Sequence, residues 1–132
     1  MKGVRTMGSS YKGGTSYQHS FRENLPEVTA DYPLNGNHFG TSHHGSTWTY
    51  EIEADNPSEA AKAFYDKIGL GGAFYKYGVN GLEIVEMSDG TRIVYRPITK
   101  SGSPAVEINI QKSDDNGGVK SHKIHFVKKK GK

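Results

Sequence analysis

Within residues 91–126, three short runs alternate apolar with polar residues, and nothing else in the chain restricts its fold as strongly. TRIVYR, AVEINIQ and HKIHF are separated by ITKSGSP and by SDDNGG, the compositions that turns between strands use. Neighbouring side chains of a strand point to opposite faces of its sheet. If Val106, Ile108 and Ile110 form the buried row, then Ala105, Glu107, Asn109 and Gln111 face the other way. Burying Ile124 and Phe126 turns Lys123 and His125 outward, and burying Ile93 and Tyr95 does the same for Arg92 and Arg96. One sheet face is therefore expected to carry Arg92, Arg96, Glu107, Asn109, Lys123 and His125 together. The assignment depends on register, because a one-residue slip would bring His122 outward in place of His125.

Two readings fit such a face. An ordinary solvated sheet face also alternates charged with apolar residues. A carboxylate, an imidazole and several cations on one surface also suit metal-independent RNA cleavage. One group removes the proton of a ribose 2′-OH, another protonates the departing 5′-oxygen, and cations stabilise the charge that grows on phosphorus. Histidine titrates near neutral pH and fits either proton role.

At 132 residues the chain is long enough for one domain with a modest core. Its formal charge of +3 is compatible with an anionic partner, although Lys128, Lys129, Lys130 and Lys132 of the tail supply much of it. There is no cysteine, which excludes disulfides, thiol nucleophiles and cysteine-ligated zinc sites. No apolar run reaches the length of a membrane span, and no signal-peptide core follows the N-terminus.

Residues 1–18, rich in Gly, Ser, Thr, Lys and Tyr, read as a flexible lead-in. From His19 to Ser46 the sequence stays irregular, with a single helical turn expected at Phe21 to Leu25 and turns at Pro26, Pro33 and Asn35-Gly36. A loop of this length is often functional. It holds His38, His43 and His44, whose H-x4-H-H spacing matches no helical metal pair and lacks a companion carboxylate motif, so no metal or other cofactor is expected. His43 and His44, with His122, are secondary catalytic candidates. Thr47 to Ala54 alternates as a strand with Glu51 and Glu53 on its wet side. Asn56-Pro57-Ser58-Glu59 opens a helix whose apolar stripe is Ala60, Ala61, Phe64 and Ile68, ended by Gly69. The glycine-dense stretch 69–81 has no phosphate-loop pattern and is expected to be a loop over buried aromatics. Strands are expected at 82–87, 91–96, 105–110 and 122–127, joined as an antiparallel meander. The fold class is thus α+β: an irregular N-terminal region, one strand and one helix packed on a four-stranded antiparallel sheet. The domain runs over 19–127, with 128–132 as a basic tail.

Gly90-Thr91-Arg92, Tyr95-Arg96, Ser101-Gly102-Ser103-Pro104 and Lys123-Ile124-His125-Phe126, in this order after a helix, resemble the barnase–EndoU–colicin–RelE group of small ribonucleases. Within that group the last half of the chain is similar to C-terminal toxin domains of bacterial polymorphic toxins of the contact-dependent inhibition, Rhs and LXG types. The resemblance implies a metal-independent endoribonuclease acting on tRNA or another cellular RNA. It implies delivery by secretion or from the cell surface as part of a larger effector, action in the target-cell cytoplasm, and a cognate immunity protein binding an otherwise monomeric domain with no membrane partner. Carried over by position, His125 and Glu107 are the acid/base candidates, with Arg92 and Arg96 on the phosphate, and Lys123 on the same face is a further catalytic candidate. Lys100, Ser101, Ser103, Asn109 and Tyr95 are the substrate-binding candidates. A non-catalytic nucleic-acid-binding or protein-interaction module using the same basic face is the alternative. The strand at 47–54 ahead of the helix departs from the group, whose members open with helices.

Overall fold

The computed structural model describes residues 19–111 and 117–129, and in it the three alternating runs are adjacent strands. The elements are α1 (Phe21–Asp31), β1 (Leu34–Asn35), β2 (His38–Phe39), β3 (Thr41–Ser42), β4 (Thr49–Ala54), α2 (Pro57–Ile68), β5 (Ala73–Tyr77), β6 (Glu83–Glu86), β7 (Arg92–Arg96), β8 (Ala105–Asn109) and β9 (His122–Lys128). The class is α+β, as the sequence implies. The sheet is larger than the alternation alone suggests, with seven strands in the order β3-β4-β9-β8-β7-β6-β5. Strands β5 to β9 form the expected antiparallel meander, extended by β5 at its outer edge. On the other side β4 joins β9 in parallel, so the sheet is mixed. Parallel neighbours need a long crossover, and here α2 with the whole meander lies between them in sequence.

The alternation sets which side is dry. Along β9, His122, Ile124 and Phe126 are buried, while Lys123, His125 and Val127 are partly exposed. Helix α2 lies across β4, β7, β8 and β9 and covers the dry face with Ala61, Phe64, Tyr65 and Ile68. Its start follows local chemistry: the Asn56 side chain accepts the Glu59 N–H, and Pro57 occupies the first turn, where its missing donor costs nothing.

Three expectations need correction. Residues 21–31 form a full helix, where a single turn at 21–25 was expected. Ser20 and Glu23 close a capping box: the Ser20 hydroxyl accepts the Glu23 N–H, and the Glu23 carboxylate accepts the Ser20 N–H. Pro26 sits inside this helix on its exposed side, while other residues of the helix are buried. Phe21, Asn24, Leu25 and Val28 all face the interior, and the Asn24 amide donates to Ile68 O at the end of α2 and to Leu70 O just beyond it, each at 2.8 Å. Second, the stretch read as a loop over 69–81 contains β5, whose register against β6 shifts between Phe74 and Lys76. Third, the basic tail begins inside the sheet. Lys128 ends β9, and the Lys129 N–H donates to Ala54 O. The lead-in 1–18 and residues 130–132 lie outside the described residues.

His122 belongs to this core and is not a catalytic candidate. It is fully buried on the helix-covered face, Nε2 accepts the Phe39 N–H at 3.1 Å, and Nδ1–H donates to Lys120 O at 2.7 Å. Both ring nitrogens are therefore committed in the neutral form. Burial pushes its pKa down to about 4, against the pull of the Lys120 carbonyl, and the charges of His38 and Lys120 add to the lowering. Between the ordinary value of 6.5 and about 4, the unfolded chain binds a proton that the folded imidazole refuses. This contribution to stability is present above 6.5 and falls away as pH drops toward 4, by about 3 kcal/mol at most. Urea unfolding at pH 7 and pH 4 should show the loss, and His122→Asn should remove it from the pH dependence.

Candidate active site

On the wet face, the register brings side chains from four strands into rows. Arg96 pairs with Ala105, Ala105 with His125, and His125 with Glu51. In the next row, Val94, Glu107, Lys123 and Thr49 are neighbours, and then Arg92 pairs with Asn109. Arg92, Arg96, Glu107, Asn109, Lys123 and His125 thus occupy one face, but they do not form one site. A cleft of about 730 Å³ opens at one end of the face, lined by His43, Glu51, Asn80, Arg96, Ile98, Thr99, Lys100, Ser101, Ser103, Lys123, His125 and Val127. This is within the common size range of small-molecule sites, roughly 300–1,000 Å³.

The floor is β9 with its neighbours. Lys123, His125 and Val127 project from one side of β9, Glu51 from β4 and Arg96 from the end of β7. Arg96 donates through Nε to Glu107 Oε2 at 2.5 Å. The Glu107 side chain is only 14% exposed against 38% for Arg96, so the carboxylate underpins the guanidinium and does not itself line the cleft. Glu107 stands as a support for a cation, and the carboxylate at the cleft surface is Glu51.

One wall is the turn between β3 and β4. His43 lies two residues beyond Thr41, which pairs with Glu51, so it falls on the same face. Its Nδ1 is 2.6 Å from Glu51 Oε2. The turn is closed by the Ser46 N–H to His43 O at 3.0 Å and by the Ser46 hydroxyl, which accepts the N–H groups of Trp48 and Thr49. Gly40 makes the approach possible: at φ +79 its backbone runs so close to β4 that a Cβ would lie 2.5 Å from Glu51 O. The facing wall is the loop after β7, with Ile98 through Ser103, and the tip between β5 and β6 that carries Asn80. Among the described residues, the two non-glycine residues with left-handed backbone are Asn80 (φ 58) and His44 (φ 52), and both belong to the cleft walls or abut them. Strained backbone of this kind concentrates at functional sites.

At the centre, His125 Nδ1 is 2.7 Å from Ser103 Oγ. Burial, with the positive charges of Lys123 and His43, holds the His125 imidazole below its ordinary pKa, and the carboxylates of Glu51 and Glu107 only partly offset this. His125 is therefore largely neutral at pH 7 and fit to accept a proton. Three permanent cations, Arg96, Lys100 and Lys123, share the cleft with one carboxylate, Glu51, so the lining favours an anion.

Of the sequence candidates, His125, Arg96, Lys123, Lys100, Ser101, Ser103 and His43 line this cleft. Arg92 does not. It sits four residues along β7 from Arg96, about 13 Å away by strand rise, where its Nε is 3.6 Å from Glu86. Asn109, its pair on β8, is equally distant. Tyr95 points to the opposite face, buried and stacked on Tyr65 of α2 with ring centroids 5.1 Å apart. The alternation that turns Arg96 outward turns Tyr95 inward. His44 packs against the His43 ring at 4.2 Å without lining the cleft, and His38 stacks on Tyr50 at 3.8 Å. Glu51, Thr99 and Asn80 are the polar residues that sequence reasoning did not select. Only Glu51 left a signal, as a carboxylate on the wet side of its strand. No family model, curated protein or solved structure matches the chain, so its chemistry has to be read from this cleft.

Proposed function

We propose that the chain is a metal-independent endoribonuclease whose acid/base pair is His125 and His43. The observation that carries this reading is the arrangement of two imidazoles in one cationic cleft, each with one ring nitrogen held by an oxygen: His125 by Ser103, His43 by Glu51. His125, kept neutral by burial and by Lys123, takes the proton of the ribose 2′-OH. The 2′-oxygen attacks phosphorus, the bond from phosphorus to the 5′-oxygen breaks, and His43 delivers a proton to that leaving oxygen. The products are a 2′,3′-cyclic phosphate and a 5′-hydroxyl end. Arg96, braced by Glu107, and Lys123 balance the charge that develops on the phosphorane oxygens, and Lys100 approaches from the rim. Glu107 thereby moves from the acid/base role that the resemblance implies to a bracing role.

The test is incubation of the purified chain with bulk tRNA and single-stranded RNA in EDTA. Cleavage should persist and leave cyclic-phosphate ends, detectable as 3′ ends that a phosphomonoesterase makes ligatable only after acid has opened the ring. RNA that is bound in a salt-dependent manner but never cut would reject the catalytic reading and leave a nucleic-acid-binding module. Loss of cutting in EDTA would replace it with metal-dependent chemistry. Delivery from a larger effector and neutralisation by an immunity protein follow from the resemblance, and they remain part of this proposal.

A further inference from the structure

The loop after β7 carries a chain of hydroxyls that ends on His125. His125 Nδ1 lies 2.7 Å from Ser103 Oγ, Ser103 Oγ lies 3.0 Å from Ser101 Oγ, and Ser101 Oγ lies 3.1 Å from Thr99 Oγ1. The far end is a backbone acceptor, because Thr99 Oγ1 is 2.7 Å from Ser103 O. The loop is closed on itself by the Gly102 N–H to Thr99 O at 2.8 Å and the Thr99 N–H to Ser103 O at 3.2 Å, with Gly102 at φ +91. The hydroxyls are thus held in sequence by a turn that needs glycine at one position.

Counting protons gives the chain a direction. A carbonyl oxygen accepts and never donates, so the Thr99 hydroxyl proton lies on the bond to Ser103 O. Thr99 Oγ1 then has no proton left for Ser101, and the Ser101 hydroxyl must donate to it. Ser101 Oγ in turn accepts from the Ser103 hydroxyl. Ser103 Oγ has spent its proton and can only accept, so the remaining short contact is filled by a proton on His125 Nδ1. We infer that Thr99 is a positioning residue that, through Ser101 and Ser103, holds the His125 proton on Nδ1 and leaves the Nε2 lone pair as the base of the cleft. An isolated imidazole prefers its proton on Nε2, so this loop reverses the intrinsic preference. The same direction disposes of another reading of the Ser103–His125 contact. A serine nucleophile must give its proton to the histidine, whereas here the histidine donates to the serine.

This inference rests on the proposed cleavage only for the role of Nε2, and the tautomer can be read without any substrate. In ¹⁵N-histidine-labelled protein at pH 8, the ring nitrogens of His125 should show a proton on Nδ1 and a bare Nε2. Thr99→Val, which keeps the shape and removes the donor, should move the signals toward the Nε2–H form, while Thr99→Ser should keep the wild-type pattern. In cleavage assays, Thr99→Val should lower kcat by on the order of tenfold with KM within about twofold. Should Thr99→Val not fold, Ser101→Ala interrupts the same chain and should give the same spectral shift. A wild-type spectrum with the proton on Nε2, or variants that leave the tautomer unchanged, would overturn the inference even if RNA is cut. An Nδ1–H spectrum in a protein that cuts no RNA would support the tautomer assignment and reject the nuclease.

Discussion

His125→Ala should leave the fold in place and reduce RNA cleavage by roughly 10²–10⁴-fold, the span that a general acid or base contributes. The fold should survive because His125 sits on the solvated side of β9, while its neighbours Ile124 and Phe126 carry the burial. Activity should fall because the other imidazole lining the cleft, His43, is held by Glu51 and does not take the place of His125 beside Ser103. His43→Ala is expected to cost a similar factor through loss of the leaving-group acid, and the double variant much less than the product of the two, since the pair acts as a unit. Single-turnover cleavage of one labelled RNA, with far-UV circular dichroism on each variant, makes the comparison. A folded His125→Ala protein that cuts at the wild-type rate removes the proposal.

Phe64→Ala should cost about 3–5 kcal/mol of stability, the largest single effect expected outside the cleft. Phe64 is fully buried on α2 and is the ring against which three others pack: Tyr32 at 5.3 Å, Phe39 at 5.1 Å and Phe126 at 5.5 Å between centroids. These rings come from four separate stretches: Tyr32 just after α1, Phe39 on β2, Phe64 on α2 and Phe126 on β9. Truncation opens a void that no single element can close. Phe39 also precedes the segment that leads through Gly40 and Thr41 to His43, so the same substitution should loosen His43 against Glu51. The midpoint of urea unfolding reads the stability loss. A change below about 1 kcal/mol would show that the cluster relaxes around the gap.

Local chemistry was legible where a single element carried it. The two-residue period of Arg92–Arg96, Ala105–Asn109 and His122–Lys128 already assigns each side chain to a face, and the register agrees with it at Arg96, Glu107, Lys123 and His125. Asn56 and Pro57 announced α2 in the same way. Ser20 and Glu23 carry the same kind of start signal for α1, which the sequence reading did not use, and Pro26 inside the helix argues for a turn when the sequence is taken alone. The glycines around Ala73–Tyr77 hid β5 because a strand at the outer edge of a sheet needs little burial to mark it.

What the sequence by itself determined is the composition of each strand face and the places where helices begin. Its alternation has a period of two and says nothing about which strands become neighbours. Only the tertiary structure decided that β4 lies parallel beside β9, which sets Glu51 next to His125 across 74 residues of chain and brings His43 with it. Only the tertiary structure, again, split the outward row in two, leaving Arg92 and Asn109 away from the cleft and Arg96, Lys123 and His125 lining it. Facing direction is written residue by residue in the backbone geometry, whereas strand order is a choice among packings of the whole core. The cleft depends on that second choice.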